Sequence, residues 1–177
     1  MSIWTFLEAG YVSRVTTRRN RRPSAARGAV LAWLVGVEAV GAISAMLARR
    51  GAWFDALQKP AWTAPDWLFE SVRTLLFALL ALAAWMVWRE RERTPVRLAL
   101  IWFGVLLALA ALWAPLLHGL RRPDLAMLCL SALWVTIVMT MISFHRIRAV
   151  ASWLLLPFAF WTTYVAALVL SLWVRNG

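Results

Sequence analysis

Cysteine, histidine, tyrosine and acidic residues are all scarce in this chain of 177 residues. It holds one cysteine, two histidines, two tyrosines and 8 Asp and Glu residues, and charged residues make up only 15% of it. The single cysteine, Cys129, excludes an intrachain disulfide. The two histidines lack metal-ligand spacing, and no Ser-His-Asp, Cys-His or paired-carboxylate arrangement occurs within the apolar segments. The sequence therefore favours a protein without enzymatic activity.

Hydrophobic residues are abundant instead, at 63% with a mean hydropathy of +0.70. An apolar segment of about 20 residues can cross a hydrocarbon core of about 30 Å. A helix satisfies its own backbone hydrogen bonds in lipid, so each such segment is expected to be α-helical. The predicted fold class is therefore an all-α integral membrane protein, a bundle of five transmembrane helices. The predicted spans are residues 29–48, 71–88, 98–117, 125–144 and 152–173.

The formal net charge is +11, from 19 Lys and Arg residues against 8 Asp and Glu residues. The basic residues lie between the apolar segments, which fits anionic lipid headgroups better than nucleic acid, and no nucleic-acid recognition module is present. Five spans place the two termini on opposite sides of the membrane. Twelve basic residues fall on the N-terminal side and seven on the other, which predicts a cytoplasmic N-terminus.

Residues 1–28 form a basic N-terminal arm ahead of the five-helix domain, which is predicted to cover residues 29–177. Six arginines follow a mildly apolar start, the reverse of the order in a secretory signal peptide. Trp4, Phe6 and Leu7 of this arm would touch the membrane surface, or the arm would contact a protein partner.

The loop between the first two predicted spans, about residues 49–70, is the longest of the chain. Pro60 and Pro65 restrict its backbone, and Trp53, Trp62 and Trp67 are too apolar to remain in water. We expect it to fold as an ordered cap over one end of the bundle.

Three short elements resemble the TspO/MBR family of tryptophan-rich membrane proteins, also called translocator proteins. The cap loop matches a family pattern built around Lys-Pro-x-Trp. The end of the third helix matches a Trp-Ser/Thr-Pro element, and the fifth helix matches Leu-x-Pro-Tyr-x-x-Trp. Three elements in order, on five spans with thirteen tryptophans, make the resemblance specific over about residues 30–176. The matching segments are Trp53–Pro65, Leu112–Pro115 and Leu155–Trp161.

The resemblance implies a five-helix bundle, commonly a dimer, whose first loop closes a pocket between the helices. Members of the family bind porphyrins and other apolar ligands. They are linked to tetrapyrrole regulation and, in photosynthetic bacteria, to pigment-synthesis gene clusters. The implied location is a bacterial inner membrane, cytoplasmic or intracytoplasmic. The expected partners are the lipid bilayer, a second copy of the chain, and other membrane proteins of a pigment complex.

The chain departs from the family where a pocket would carry polar groups. Ala110 stands where the family has Asn, Phe158 where it has Tyr, and Arg73 where it has Trp. A buried polar ligand group without a partner costs about 1–3 kcal/mol. We therefore expect the pocket to accept an esterified chlorin, a carotenoid or a lipid tail, or to be empty, rather than to bind a porphyrin with free carboxylates. The other departures are Phe54, Ala64, Phe77 and Val169.

Six residues are the candidates for a pigment site. His118 follows Pro115 at the end of the third span, and its imidazole can be the axial ligand of a chlorin magnesium or of haem iron. The alternative for His118 is an interfacial histidine bonded to water or lipid. Five tryptophans of the family-like elements are candidates for lining the pocket or stacking on a flat pigment. They are Trp53, Trp62, Trp67, Trp113 and Trp161.

Glu38 lies near the middle of the first span, where a carboxylate costs about 2.5–3.5 kcal/mol on insertion scales. It would pair with Arg73, contact a ligand or another helix, or be a neutral group hydrogen-bonded inside the bundle. Arg73 can instead extend toward the loop. Small residues near Glu38, including Gly36 and Gly41, would allow close helix packing within the bundle or across a dimer.

The functional hypothesis is a non-enzymatic binding or structural subunit in a photosynthetic pigment–protein assembly. It would contact an apolar pigment, a bacteriochlorophyll-like tetrapyrrole or a carotenoid. The apolar pocket replacements, the excess of tryptophan, His118 and the basic arm support this hypothesis. The alternative is an independent porphyrin-binding sensor, regulator or transporter. A third class, a porphyrin-degrading enzyme, is disfavoured by Arg73.

Overall fold

The computed structural model describes residues 23–48 and 52–176, and every regular element in these ranges is helical. A π-helical turn, Pro115–Gly119, directly follows the helix Arg97–Ala114. The first 22 residues of the predicted basic arm lie outside the described residues, so its role stays a prediction. The helices are α1 (Pro23–Leu47), α2 (Ala52–Asp55), α3 (Asp66–Trp88), α4 (Arg97–Ala114), α5 (Pro123–His145), α6 (Ala149–Trp153) and α7 (Leu156–Asn176).

Five segments are long and apolar enough to cross a membrane, which confirms the predicted fold class. We call them the first to fifth spans: Gly28–Leu47, Asp66–Trp88, Arg97–Gly119, Pro123–His145 and Ala149–Asn176.

The second span begins at Asp66, whereas the apolar pattern predicts a start at residue 71. Pro65 has an extended backbone before the helix, and its carbonyl accepts hydrogen bonds from the Leu68 and Phe69 amides. The carboxylate of Asp66 suits the positive end of the helix dipole. Trp67 and Glu70 therefore belong to the second span rather than to the cap loop.

The spans pack as a ring in the order first, second, fifth, fourth and third. The third and fourth spans share the most extensive contact, and the first packs mainly on the second. The second span meets the fifth most closely at the short helix Ala149–Trp153, at the end of the bundle away from the cap. Space between these two spans is therefore left at the cap end.

Two prolines shape the spans at the cap end and in the fifth span. Pro115 has no N–H, so it cannot donate to the carbonyl of Ala111 one turn earlier. The Ser44 hydroxyl of the first span donates to that carbonyl instead, at 2.6 Å. The following π-helical turn is closed by the Leu120 amide donating to the Pro115 carbonyl. Pro157 similarly follows the break that separates α6 from α7.

The described part of the cap, residues 52–65, is ordered against the fifth span, as the sequence predicts. The Ala64 amide donates to the Tyr164 hydroxyl at 2.9 Å, and the Gln58 amide donates to Asn176 Oδ1 at 2.9 Å. The ring of Trp62 packs edge-on against Tyr164, with 5.8 Å between ring centroids. These contacts hold the cap over the end of the bundle.

Candidate functional site

A cavity of about 350 Å³ lies inside the cap end of the bundle. All five spans contribute to its walls, and its volume is at the low end of the range of about 300–1,000 Å³ for ligand pockets. Its position follows from the helix packing, because the second and fifth spans diverge toward the cap. Its apolar lining includes Leu76, Leu130, Leu133 and Val165.

The third span forms one wall through Trp113, Ala114 and His118. His118 lies on the π-helical turn after Pro115, and its ring packs edge-on against Phe54 of the cap with 4.5 Å between centroids. The Lys59 ammonium lies 4.6 Å from the centroid of the same Phe54 ring. Pro115 thus creates the turn that brings His118 to the cavity and under the cap.

The fifth span forms the opposite wall through Phe158, Trp161 and Thr162. Trp161 packs edge-on against Phe69 of the second span, and Phe158 packs edge-on against Phe77, with centroids 5.2 Å and 6.3 Å apart. The Thr162 hydroxyl donates to the Phe158 carbonyl at 2.8 Å. Like Ser44, Thr162 therefore uses its hydroxyl proton within the protein.

The second span adds charge to the cap end of the cavity. Arg73 donates from Nη2 and Nε to the same oxygen of Glu70, at 2.7 and 3.1 Å. Glu70 lies one turn closer to the cap, so Arg73 extends toward the loop as predicted. Both residues line the cavity, together with Asp66.

Gly41 of the first span makes room for Arg73. A Cβ added at Gly41 would lie 2.8 Å from Arg73 Nη1 and 2.9 Å from the Phe77 ring. The predicted small-residue packing is thus found within the bundle at Gly41, whereas an added Cβ at Gly36 would meet nothing within 4 Å. A dimer contact by the remaining small residues stays a prediction.

Glu38 is not the ion-pair partner of Arg73, although the two attract each other electrostatically. Among the described residues, Glu38 Oε1 is buried without a hydrogen-bond partner. The interpretation of Glu38 as a group hydrogen-bonded inside the bundle is therefore wrong for this oxygen. The nearer and more exposed Glu70 takes the hydrogen bonds of the guanidinium instead.

The structure brings three of the six candidate residues, Trp113, His118 and Trp161, to the cavity. The three candidate tryptophans from the cap sequence do not line it. Trp62 is 48% exposed outside the cap, and Trp67 is 68% exposed on the outer face of the second span. Trp53 is half-buried, with the Arg121 guanidinium 6.0 Å from its ring centroid. The prediction for Trp67 is wrong because the helix that starts at Asp66 directs this side chain to the outer face.

Sequence reasoning missed several cavity residues, although one signal was available. Phe69, Arg73 and Phe77 recur every four residues and so share one face of the second span. The same spacing, counted back from Arg73, indicates Phe69 as a cavity residue. Ser44 and Thr162 carry no comparable signal, because only tertiary packing brings them to the same space.

Four departures from the family pattern meet at this cavity: Arg73, Phe77, Ala110 and Phe158. Phe54 lies behind them against His118, whereas Val169 is buried in the core away from the cavity. Four of the seven departures therefore lie at the cavity.

Among the described residues, no group of three or more His, Cys, Asp or Glu side chains is arranged to hold a metal ion. A protein-bound metal with several side-chain ligands therefore finds no site in this part of the chain. A single axial bond from His118 to the metal of a pigment is a different arrangement, and it stays a prediction.

Comparison with known proteins decides the family. The model of the TspO/MBR family matches residues 28–174, nearly the whole described chain. The chain belongs to the TspO/MBR family. The matched residues include every wall of the cavity, so the cavity is part of the TspO/MBR fold of this chain.

Three relatives place the chain within the TspO/MBR family. It is 32% identical to "Protein CrtK" of Rhodobacter capsulatus over 81% of this chain and 90% of that protein. It is 33% identical to "Tryptophan-rich protein TspO" of Chlorobaculum tepidum over 66% of this chain and 74% of that protein. It is also 28% identical to "Translocator protein" of Sus scrofa over 81% and 91% of the two chains. This membership confirms the resemblance found in the motifs.

Proposed function

We propose that this TspO/MBR-family membrane protein is a non-enzymatic binding protein that holds part of an apolar pigment in the cavity beneath its cap. The pigment class is a bacteriochlorophyll-like tetrapyrrole or a carotenoid. The protein would act as a structural subunit of a membrane pigment–protein assembly.

The observation that carries this proposal is the aromatic wall of the cavity. Phe77, Trp113, Phe158 and Trp161 surround a space whose buried hydroxyls already donate to backbone carbonyls. Aromatic rings stack on flat conjugated ligands, and a pocket without spare hydroxyl donors places no demand for polar groups on the buried part of the ligand. A conjugated apolar ring is the ligand that this wall suits.

The residues present fit a tetrapyrrole in one respect beyond the wall. His118 lies on the cavity surface and would supply an imidazole nitrogen to the central metal of a chlorin or haem. An imidazole nitrogen of His118 bound to the magnesium of a chlorin would fix the ring relative to the protein. The packing of Phe54 against His118 would hold the imidazole in place.

The setting of this binding is part of the proposal. The protein would lie in the inner membrane of a photosynthetic bacterium, with its N-terminus in the cytoplasm. Its basic arm would contact a neighbouring subunit. Exposed aromatic side chains on the membrane-facing surface, such as Trp153 and Phe160, offer contact area to a second copy or to other membrane proteins as well as to lipid.

An independent porphyrin-binding sensor is the second candidate, and Arg73 is the observation that favours it. Its guanidinium supplies a cation at the cavity, which suits a ligand with a free carboxylate. A relative from Cereibacter sphaeroides, 31% identical over 66% of this chain, is named "Tryptophan-rich sensory protein".

Extraction from the native membrane in a mild detergent distinguishes the two candidates. The absorption spectrum and the mass of the purified particle are measured together. Chlorin or carotenoid bands that travel with a particle much larger than a dimer of the 20.0 kDa chain support the structural subunit. A colourless dimer that takes up added protoporphyrin contradicts it and supports the sensor. Light-dependent formation of porphyrin products would contradict the non-enzymatic assignment in both cases.

A further inference from the structure

The guanidinium of Arg73 is the cationic group of the cavity wall, and its hydrogen-bonding edge is held by a displaceable partner. Nε and Nη2 form the edge that would normally donate to both oxygens of a carboxylate, but here both donate to one oxygen of Glu70. The Glu70 side chain is 61% exposed, whereas that of Arg73 is only 27% exposed. An ion pair with such an exposed partner contributes little to stability. Displacing the Glu70 carboxylate from Arg73 therefore costs little free energy.

We propose that Arg73 is the anchor for a single oxyanion, a carboxylate or a phosphate, carried by a ligand whose apolar body lies in the cavity. This proposal rests on the proposed pigment-binding function and names the chemical class of ligand within it. The ligand oxyanion replaces Glu70 on the Nε and Nη2 edge of Arg73. The ligand then accepts two parallel hydrogen bonds from Arg73, in a more enclosed place than the exposed Glu70 carboxylate occupies.

The position of Arg73 is fixed from the opposite side. Nη1 lies over Gly41, where the absence of a side chain admits the guanidinium between the first and second spans. A cation held against a helix backbone keeps its Nε and Nη2 edge directed to one place, and this preorganisation favours bidentate recognition.

The surrounding charges limit the ligand to one acidic group. Asp66 lines the same cavity, and Glu38 is close enough to Arg73 for electrostatic attraction. Glu38 and Glu70 thus both lie near this guanidinium. Once the first oxyanion of the ligand occupies the hydrogen-bonding edge of Arg73, a second one would be repelled by these two carboxylates. The preferred pigment is therefore a monoacid, not the fully esterified chlorin expected from the sequence.

The test uses pyropheophorbide a, a chlorin with one carboxylate, and its methyl ester, which has the same ring. Binding of each to the full-length protein in uncharged maltoside micelles is measured by quenching of tryptophan fluorescence. We expect the acid to bind about tenfold more tightly than the ester, a difference of about 1.4 kcal/mol. Arg73→Gln should reduce this preference to about onefold. Glu70→Gln should increase it, because the competing carboxylate is gone.

Arg122→Gln is the matched control. It removes the same charge at the same end of the bundle, from an exposed ion pair with Asp124 outside the cavity. The acid preference should persist in this variant. Equal binding of acid and ester to the unsubstituted protein overturns the inference, as does an equal loss of preference in both arginine variants. If Arg73→Gln does not fold, an unchanged preference in Glu70→Gln overturns it instead.

Failure of the pigment-binding function gives a different result, because then neither the acid nor the ester binds. A lipid arm identifies the source of the oxyanion. If phosphatidic acid displaces the chlorin acid but diacylglycerol does not, and if this displacement is absent in Arg73→Gln, the site binds a lipid phosphate. Absence of displacement with the acid preference retained assigns it to a pigment carboxylate.

Discussion

The hydroxyl of Tyr164 in the fifth span lies 2.9 Å from the backbone amide of Ala64 in the cap, 100 residues earlier in the chain. The same hydroxyl lies 3.4 Å from the Trp62 carbonyl. One side chain thus joins the cap to the wall that carries Trp161. The cap and the cavity are therefore coupled through the fifth span.

Tyr164→Phe should loosen the cap without unfolding the bundle. Loss of the 2.9 Å hydrogen bond from the Ala64 amide costs about 0.5–1.5 kcal/mol, and the longer bond to the Trp62 carbonyl is lost with it, so the cap amides should exchange with solvent at least about two- to tenfold faster. Hydrogen exchange followed by mass spectrometry over residues 56–65 measures this change. Thr163→Val is the control, since it removes the 3.0 Å bond to Trp134 on the outer face. If both variants accelerate exchange in the cap equally, Tyr164 is not its specific anchor.

Gly41→Ala should destabilise the protein. The new methyl group would lie 2.9–3.0 Å from the Phe77 ring and 2.8 Å from Arg73 Nη1. Overpacking of this kind typically costs about 1–3 kcal/mol, and the ring cannot move as freely as the arginine. The thermal unfolding midpoint in detergent should fall. Gly36→Ala, on the same helix with open space around it, should leave the midpoint unchanged or raise it slightly.

Trp161→Phe should weaken binding of a chlorin and remove a large part of the fluorescence quenching that binding causes. A smaller ring forfeits stacking worth about 1 kcal/mol, which is about fivefold in affinity. Trp67→Phe should leave both quantities unchanged, because Trp67 is exposed outside the cavity. Titration of the two variants with the same chlorin provides the comparison, and equal effects would place the ligand outside the cavity.

His118→Leu should weaken a magnesium chlorin selectively. If the imidazole is the axial ligand, affinity for the magnesium pigment should fall about tenfold, which is about 1.4 kcal/mol, while its metal-free counterpart binds as before. His145→Leu is the control, because His145 is exposed at the end of the fourth span away from the cap. The absorption shift on binding reports the axial bond directly. The same loss for both pigments would show that His118 only packs against the ring.

Much of the fold was predictable because membrane insertion depends on local composition. Each span is an apolar segment of sufficient length. The observed bounds of a span differ from the predicted ones where polar residues continue the helix. The second span starts at Asp66 because Pro65 and the helix dipole favour that start, although Asp66 and Glu70 interrupt the apolar pattern.

The cavity was predictable only in part. The sequence predicts Trp113 and Trp161 at the site because both belong to proline-containing family-like motifs. Ser44 was not found, because its role depends on a carbonyl released by Pro115 in another span. The sequence also predicts Trp62 and Trp67 at the site, but their positions in the cap and on the second span leave both side chains exposed outside the cavity.

The sequence by itself determined that this is a membrane protein, the number of its spans and its family. Length, hydropathy and motif order are properties of the chain alone. Only the tertiary structure decided where the charges lie relative to the aromatic wall. From the sequence of the second span alone, Arg73 is predicted to snorkel toward the membrane surface. It becomes a cavity residue because Gly41 of another helix leaves room for it and the second and fifth spans diverge beside it. Such a space is set by helix packing and not by any one segment.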